Sequence, residues 1–573
     1  MKGFLAIALV LSFLSGYSCD LENEDWWKHM QLYQIYPRSF KDSDGDGIGD
    51  INGIRSKLQH LADIGVNATW LSPVYPSPMV DFGYDIADYY NIAEEYGTIA
   101  DLEALIAEAK EKNIRILLDF VPNHTSDKNE WFVKSVNREP GFEDFYVWHD
   151  GRDGGASPPS NWISVFRGPA WTFHPIRKQW YLHQFAKEQP DLNYRDPLVV
   201  EEMKNVLKFW LAKGVQGFRV DAIPHLVEVD VDASGNYPDE PLSGNSDDPE
   251  SYDYLEHIYT RERDLTYQIV YDWRATFDQF AEEINSETIV LLMEAMSSVD
   301  YVMQYYGNGT SEGAHFPFNF NLAFLDKSAN ARVLEDNIVG WFNNVPEGRV
   351  TNWVVGNHDQ PRTATRFGPA RSDGILMIAM LLPGVAVTYN GEEIAMENFY
   401  LSWEETVDPQ GCNAGIDLFN STSRDPERTP FQWDDSRNSG FSTANTTWLP
   451  VASNYLELNL AKQASDERSA YKFYKDLSSL RQEEVIHHGN LTVRALSDDV
   501  LAFTRVLDGE ETVVVVVNNG GSAAPGVNLQ TSFQGINDNL SVLISSVSSA
   551  RRPGQTLQSS NFVLQPYEAL ALQ

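Results

Sequence analysis

Gly217-Phe218-Arg219-Val220-Asp221-Ala222 is a short apolar strand that ends in charge. Phe218 and Val220 alternate with Arg219 and Asp221. Burying an arginine and an aspartate two residues apart costs several kcal/mol unless they are paired or put to use. By itself the stretch suits a structural ion pair as well as a reactive site. Its surroundings decide between them.

Working outward, seven further strand-like runs recur along the chain, at 32–36, 68–71, 114–121, 289–293, a weaker one at 315–318, 350–355 and 386–389. Helical patterns lie between them, for example over 101–112, 199–213 and 371–382. Strands alternating with helices predict an α/β fold, a parallel (β/α)8 barrel. Most of these strands end in polar or charged residues, and such barrels carry their active site at the C-terminal face, in the loops after the strands. One spacing departs from a plain barrel. The third strand ends near Asn123 and the next helix begins near Val199, so a Gly-, Pro- and Trp-rich stretch must form a lid or small subdomain. After about residue 490 the pattern changes to β-branched runs between Gly, Ser and Asn turns, which predicts an all-β sandwich domain. The expected domains are a barrel of 20–123 and 196–490, an inserted subdomain at 124–195 and a β domain at 491–573.

The chain has 573 residues, enough for two or three domains. A formal charge of -39, from 82 acidic and 43 basic residues, speaks against nucleic acid or an anionic membrane as partner. The 15 Trp and 26 Tyr can pack a core or stack on sugar rings. Residues 1–19 read as a secretion signal: Lys2, an apolar run over 3–14 too short to span a bilayer, then small residues before Cys19. Only Cys19 and Cys412 are present, so disulfides are not expected to hold the fold. Glycosylation sequons begin at Asn67, Asn123, Asn308, Asn420, Asn445, Asn490 and Asn539, of which Asn67 and Asn123 lie at strand-like segments and are not expected to carry sugar. The tail lacks a lipid-anchor signal.

Three strand ends deliver acids to one rim. Asp221 ends the fourth strand, Glu294 ends the fifth after Ile289-Val290-Leu291-Leu292-Met293, and Asp359 follows the seventh in Asn357-His358-Asp359. Two carboxylates with opposed tasks are what glycoside hydrolysis requires, one ionised to attack and one protonated to supply the leaving group. Arg219 is expected to keep Asp221 ionised, and Glu294, behind an apolar strand, to hold the proton.

Asp119-Phe120-Val121-Pro122-Asn123-His124, the 217–222 stretch, Met293-Glu294-Ala295 and Val355-Gly356-Asn357-His358-Asp359 resemble the four ordered signature regions of the α-amylase superfamily, glycoside hydrolase family 13. The resemblance spans essentially the whole chain after the signal. It implies Asp221 as nucleophile, Glu294 as acid/base and Asp359 as transition-state stabiliser. It places Arg219, His124 and His358 around the first sugar subsite. It also implies Asp85 gripping the terminal glucose, Tyr84 as a stacking platform and Phe166 on the inserted segment as a further substrate contact.

Within the family, Gln189-Pro190-Asp191-Leu192-Asn193, Gly391-Glu392-Glu393-Ile394 and the segment from Arg424-Asp425 to Trp433 look like the oligo-1,6-glucosidase and α-glucosidase branch. Of Arg424 and Arg428, Arg424 is the one expected to close the pocket. Ala222 after the nucleophile resembles the α-1,4-cleaving maltase type, most like insect digestive maltases. Secretion into a digestive lumen follows from that likeness, with maltose, maltooligosaccharides and sucrose as small substrates. Rival readings are a sucrose isomerase or transglucosylase with the same acids, a non-catalytic relative such as a transporter heavy chain, and a receptor.

Asp42-Ser43-Asp44-Gly45-Asp46-Gly47-Ile48-Gly49-Asp50 follows the first strand. Acids at alternate positions with interleaved glycines make an oxygen-rich turn suited to Ca2+. The resemblance implies ligation by Asp42, Asp44, Asp46 and Asp50, with Ile48 through its carbonyl.

Overall fold

Strand β7 (Gly217–Val220) is buried at every position and sits between two parallel partners, so it tolerates no slip in register. β3 (Arg115–Phe120) sets Asp119 opposite Arg219 on one side, and β8 (Val290–Met293) sets Val220 opposite Met293 on the other. Gly217 is needed for this approach: a Cβ there would fall 2.4 Å from the Val290 carbonyl oxygen.

The computed structural model describes residues 26–573, so the expected signal segment lies outside the described residues. The eight-stranded sheet is completed by β1 (Gln31–Ile35), β2 (Ala68–Leu71), β9 (Phe316–Pro317), β10 (Asn352–Val354) and β11 (Val385–Tyr389), in the order β10-β11-β1-β2-β3-β7-β8-β9. All eight predicted strands are there, the weak sixth reduced to two residues. Pro317 has no N–H to give to a ladder. The seam between β9 and β10 is closed instead by the Asn352 side chain, which donates to the Pro317 carbonyl at 2.7 Å and accepts from Asn319 N–H at 2.7 Å.

Between β3 and the helix Pro197–Leu211 lies a small antiparallel sheet of β4 (Trp148–His149), β5 (Trp171–His174) and β6 (Gln179–Leu182), in the order β4-β6-β5. Its core of Val147, Trp162, Trp171 and Leu182 also takes in Tyr237, from the loop after β7. That loop, 221–263, is a second long excursion that the strand spacing left unremarked, and Trp162 Nε1 donates to Pro238 O at 3.0 Å to fasten the two.

The C-terminal strands are antiparallel. β12 (Asn490–Ala495), β13 (Val500–Val506), β14 (Val513–Asn518), β16 (Asn539–Ser545), β17 (Thr556–Gln558) and β19 (Ala569–Leu572) form a sheet in the order β12-β13-β14-β19-β16-β17. β15 (Ala524–Val527) and β18 (Phe562–Leu564) pair beside it. The helix Pro369–Leu381 is buried on every face from Arg371 onward, wedged between barrel and C-terminal strands. No helix among the described residues is long and apolar enough to cross a membrane.

Candidate active site

At the C-terminal mouth of the barrel a pocket of about 260 Å3 opens. Its lining includes Asp81, Tyr84, His124, Phe166, Asp221, Ala222, Glu294, His358, Asp359 and Arg424. Nine of the ten residues expected at the catalytic and sugar-binding positions meet here or directly behind it.

Arg219 is the centre of the deeper half. Its Nη1 donates to Asp221 Oδ1 at 2.5 Å and to Asp119 Oδ1 at 2.9 Å, and its Nη2 lies 3.1 Å from Glu294 Oε2. Glu294 Oε2 also accepts from the Ala222 N–H at 2.8 Å. Ala222 adopts a left-handed conformation, φ 45°, which turns that N–H toward the neighbouring strand end. The strand ends therefore hold the two carboxylates on one guanidinium.

Three carboxylates around one cation cannot all stay ionised without cost. Burial raises the Asp221 pKa well above the carboxylate range; Arg219 lowers it, and Glu294 and Asp119 raise it again. Asp119, also buried, is pushed up to about 6 despite Arg219. This corrects the expectation that Arg219 simply holds Asp221 down. Crowding around one cation thus works against full ionisation of Asp119 and Asp221.

The outer half is built on two arginines. Arg424 Nη1 donates to Asp359 Oδ1 at 3.1 Å, and its Nη2 to Asp81 Oδ1 at 2.8 Å. Arg428, fully buried, donates through Nη2 to the same Asp359 oxygen at 2.7 Å and through Nε to His358 O at 2.8 Å. Burial opposes ionisation of Asp359, but Arg424 and Arg428 hold its carboxyl far below the usual carboxylate range. Burial keeps His358 neutral, its pKa well below the ordinary value. The Gln34 amide contacts its Nδ1 at 2.7 Å, so Nε2 carries the proton toward the Tyr84 hydroxyl, also 2.7 Å away. Tyr84 stacks on the His358 ring at 5.4 Å. His124, lowered to about 3 by burial, lies 2.9 Å from Asn123 Oδ1 and 3.0 Å from Gln189 Nε2.

Asp85 is the exception. It is fully buried, and its carboxylate is consumed within its own turn by Ser77 Oγ at 2.7 Å and the N–H groups of Val80 and Asp81 at 3.0 Å. Positive φ at Phe82 and Gly83 reverses the chain, so Tyr84 faces the pocket and Asp85 turns away. The acid that reaches the pocket is Asp81, pushed up to about 6 by burial with Arg424 opposing. Gln189 Nε2 reaches Asp81 Oδ2 at 3.2 Å. Asp81 has no apolar strand before it, and its only signal is its place three residues ahead of Tyr84. Phe166 arrives from the inserted segment, its ring centroid 5.1 Å from the Arg424 guanidinium carbon.

The model of the family "Alpha amylase, catalytic domain" matches residues 34–489. The chain belongs to the α-amylase family. Over 556 residues it is 48% identical to Maltase A1 of Drosophila melanogaster, covering 96% of each chain. It is 45% identical to the salivary alpha-glucosidase of Anopheles gambiae, covering 96% of this chain and 93% of that one. Among solved structures, an alpha-glucosyl transfer enzyme matches with a TM-score of 0.84 at 30% identity, over 96% of this chain and 99% of that chain. The α-amylase family assignment and the parallel barrel agree with the four motifs read from the sequence.

Of the acids expected to bind calcium, Asp42, Asp44 and Asp50 each bring a carboxylate oxygen within 4.8 Å of the others. Asp46 stands outside this group, its Oδ1 accepting from Ile48 N–H at 2.7 Å. Among the sequons, Asn123 is buried with its amide given to His225 O at 2.6 Å, and Asn67 Oδ1 accepts from Gln31 N–H at 2.9 Å. Asn308, Asn420, Asn445, Asn490 and Asn539 are exposed.

Proposed function

We propose that this chain, a glycoside hydrolase of the α-glucosidase kind, is a retaining exo-acting maltase that removes terminal α-1,4-linked glucose from maltose and short oligosaccharides, and cleaves sucrose as well. The observation that carries this is the pairing of Asp221 and Glu294 on the single Arg219 guanidinium. One clamp keeps the two carboxyl groups close, as retention requires. In the proposed mechanism Asp221 attacks the anomeric carbon while Glu294, acting as general acid, protonates the departing oxygen. Glu294 then takes a proton from water as the glucosyl–Asp221 ester is hydrolysed. Asp359, kept ionised by its arginines, accepts hydroxyls of the reacting sugar. Asp81 and Arg424 take the role first expected of Asp85, at the non-reducing end.

The test is hydrolysis of maltose, isomaltose, sucrose and starch, side by side. Maltose and sucrose are expected to be cleaved, and starch and isomaltose far more slowly. NMR of the fresh product should show α-glucose; initial β-glucose would overturn retention. The likeness to a glucosyl transfer enzyme favours a second reading in which sugar replaces water as acceptor. Chromatography of products at high sucrose separates the two. The salivary relatives and the leader-like segment at 1–19 support secretion.

The gathered carboxylates of Asp42, Asp44 and Asp50 form an oxygen-only donor set that suits Ca2+, and the ion would neutralise their mutual repulsion. A chelator is expected to lower the apparent melting temperature by a few degrees, since an ion bound only to the native state at ~100 times its Kd adds about 2.7 kcal/mol. An unchanged midpoint would remove calcium from the account.

A further inference from the structure

Asp408 does not line the pocket and is fully buried, yet it makes the densest set of contacts to Arg424. Its Oδ1 accepts from Arg424 Nη2 at 2.6 Å and Nε at 3.0 Å, and its Oδ2 from the Arg424 backbone N–H at 3.0 Å. The same Oδ2 caps the short helix Pro409–Ala414 through Gly411 N–H at 3.3 Å. That helix carries Gln410, a pocket residue, and Asn413, whose amide donates to the Phe166 carbonyl at 3.1 Å. Phe166 in turn faces the Arg424 guanidinium at 5.1 Å. The contacts close a ring: Arg424 to Asp408, through the helix to Asn413, across to Phe166 of the inserted segment, and back to Arg424.

This ring has a consequence for binding. Asp81 and Asp359, the other two partners of Arg424, both line the pocket, so a bound sugar competes with the arginine for their oxygens. Asp408 is out of a sugar's reach. It alone among the three acids holds the guanidinium in the same place whether or not the pocket's own acids turn to sugar hydroxyls. Preorganising a charged donor in this way strengthens binding by removing the cost of ordering it.

We propose that Asp408 is a positioning residue, and that the helix it caps is a clasp fastening Arg424 to Phe166 and so forming the closed end of the pocket that recognises the terminal glucose. The proposal rests on the α-glucosidase reading. It assigns to the loop after β11 a part in sugar affinity rather than in the chemical step.

Asp408→Asn is the discriminating variant. Asn caps helices as well as Asp and keeps the volume, so the helix survives while the carboxylate charge facing Arg424 is lost. Losing a charge-assisted hold on a ligand-binding arginine should raise KM for maltose by about tenfold or more, with kcat within about threefold. The Kd for glucose, measured by calorimetry, should rise by the same factor. Asn413→Asp sets a carboxylate against the Phe166 carbonyl and opens the clasp with Asp408 untouched; it should raise the same two quantities by a smaller factor. Glucose Kd and KM within twofold of wild type in Asp408→Asn would overturn the proposal, as would a loss confined to kcat. A wild-type chain that binds glucose but hydrolyses no α-glucoside would overturn the activity, and weaker glucose binding in both variants would still support the clasp.

Discussion

The pocket is two arginine clusters side by side, and they differ by one positive charge. In the inner cluster a single guanidinium, Arg219, faces Asp119, Asp221 and Glu294. In the outer one Arg424 and Arg428 face Asp81, Asp359 and Asp408. Both are buried, so desolvation raises carboxyl pKa values in each. With one cation, Asp119 and Asp221 of the inner cluster stay raised. With two cations beside it, Asp359 is driven far below the ordinary range and stays an anion. Asp359 thus serves as fixed charge, whereas burial raises Asp119 and Asp221 in the inner cluster and Asp81 at the pocket edge of the outer one.

The sharpest way to break this division is Asp221→Asn. The amide does not attack, and hydrolysis of maltose should fall by about 10⁴-fold or more. The fold should hold, because one of three crowded carboxylates is removed. Activity near that of the wild type would sink the assignment of Asp221.

A second test reads the charge difference itself through stability against pH. Asp119 has its native pKa raised to about 6, above an unfolded value near 4. Its favourable contribution is therefore present at low pH and lost as pH rises through about 6. Asp119→Asn mimics the protonated acid, so relative to wild type it should gain about 2–3 kcal/mol between pH 4 and 7. Asp359 has a depressed native pKa, so its contribution is present above about pH 4 and lost as pH falls below it. The deficit of Asp359→Asn against wild type should therefore shrink toward acid. Apparent melting midpoints from pH 3 to 8 should show the two slopes with opposite signs. Parallel slopes would mean that Asp119 and Asp359 do not differ as described.

Asp221 and Glu294 of the inner cluster were legible in the sequence because each is framed by an apolar strand. Val290-Leu291-Leu292-Met293 leaves Glu294 nowhere to go but the rim, and the same logic places Asp221; Asp119, inside β3, shows in the sequence only as part of its motif. The parallel barrel was legible from the same apolar strands. In the outer cluster only Asp359, which follows β10, has such a frame. Asp81 and Asp408 sit in long loops, where periodicity is silent and backbone turns decide which side chain faces inward. Tyr84 and Asp85 are neighbours in sequence, and only the positive φ at Phe82 and Gly83 sends one into the pocket and the other away. The proton balance was illegible as well. It depends on how many cations finally surround each acid, and Asp119, which shares Arg219 with Asp221, comes from a strand about a hundred residues earlier.

Ala222 offers the finest adjustment. Its N–H holds Glu294 and its side chain lines the pocket, so it joins the inner cluster to the leaving-group side. A valine there adds two methyl groups beside Asp221, the proposed nucleophile. It must also adopt φ near 45°, which a β-branched residue resists. Strain should shift the peptide and loosen the N–H contact to Glu294, while the added bulk narrows the space for an α-1,4-linked leaving sugar. In Ala222→Val the ratio of maltose to isomaltose hydrolysis should fall by about tenfold, the range that one or two methyl groups command in a specificity pocket. Ala222→Gly relieves the strain without adding bulk, and it should leave that ratio within about twofold. If glycine moves the ratio as far as valine does, the discrimination comes from the backbone hold on Glu294 and not from the space beside Asp221.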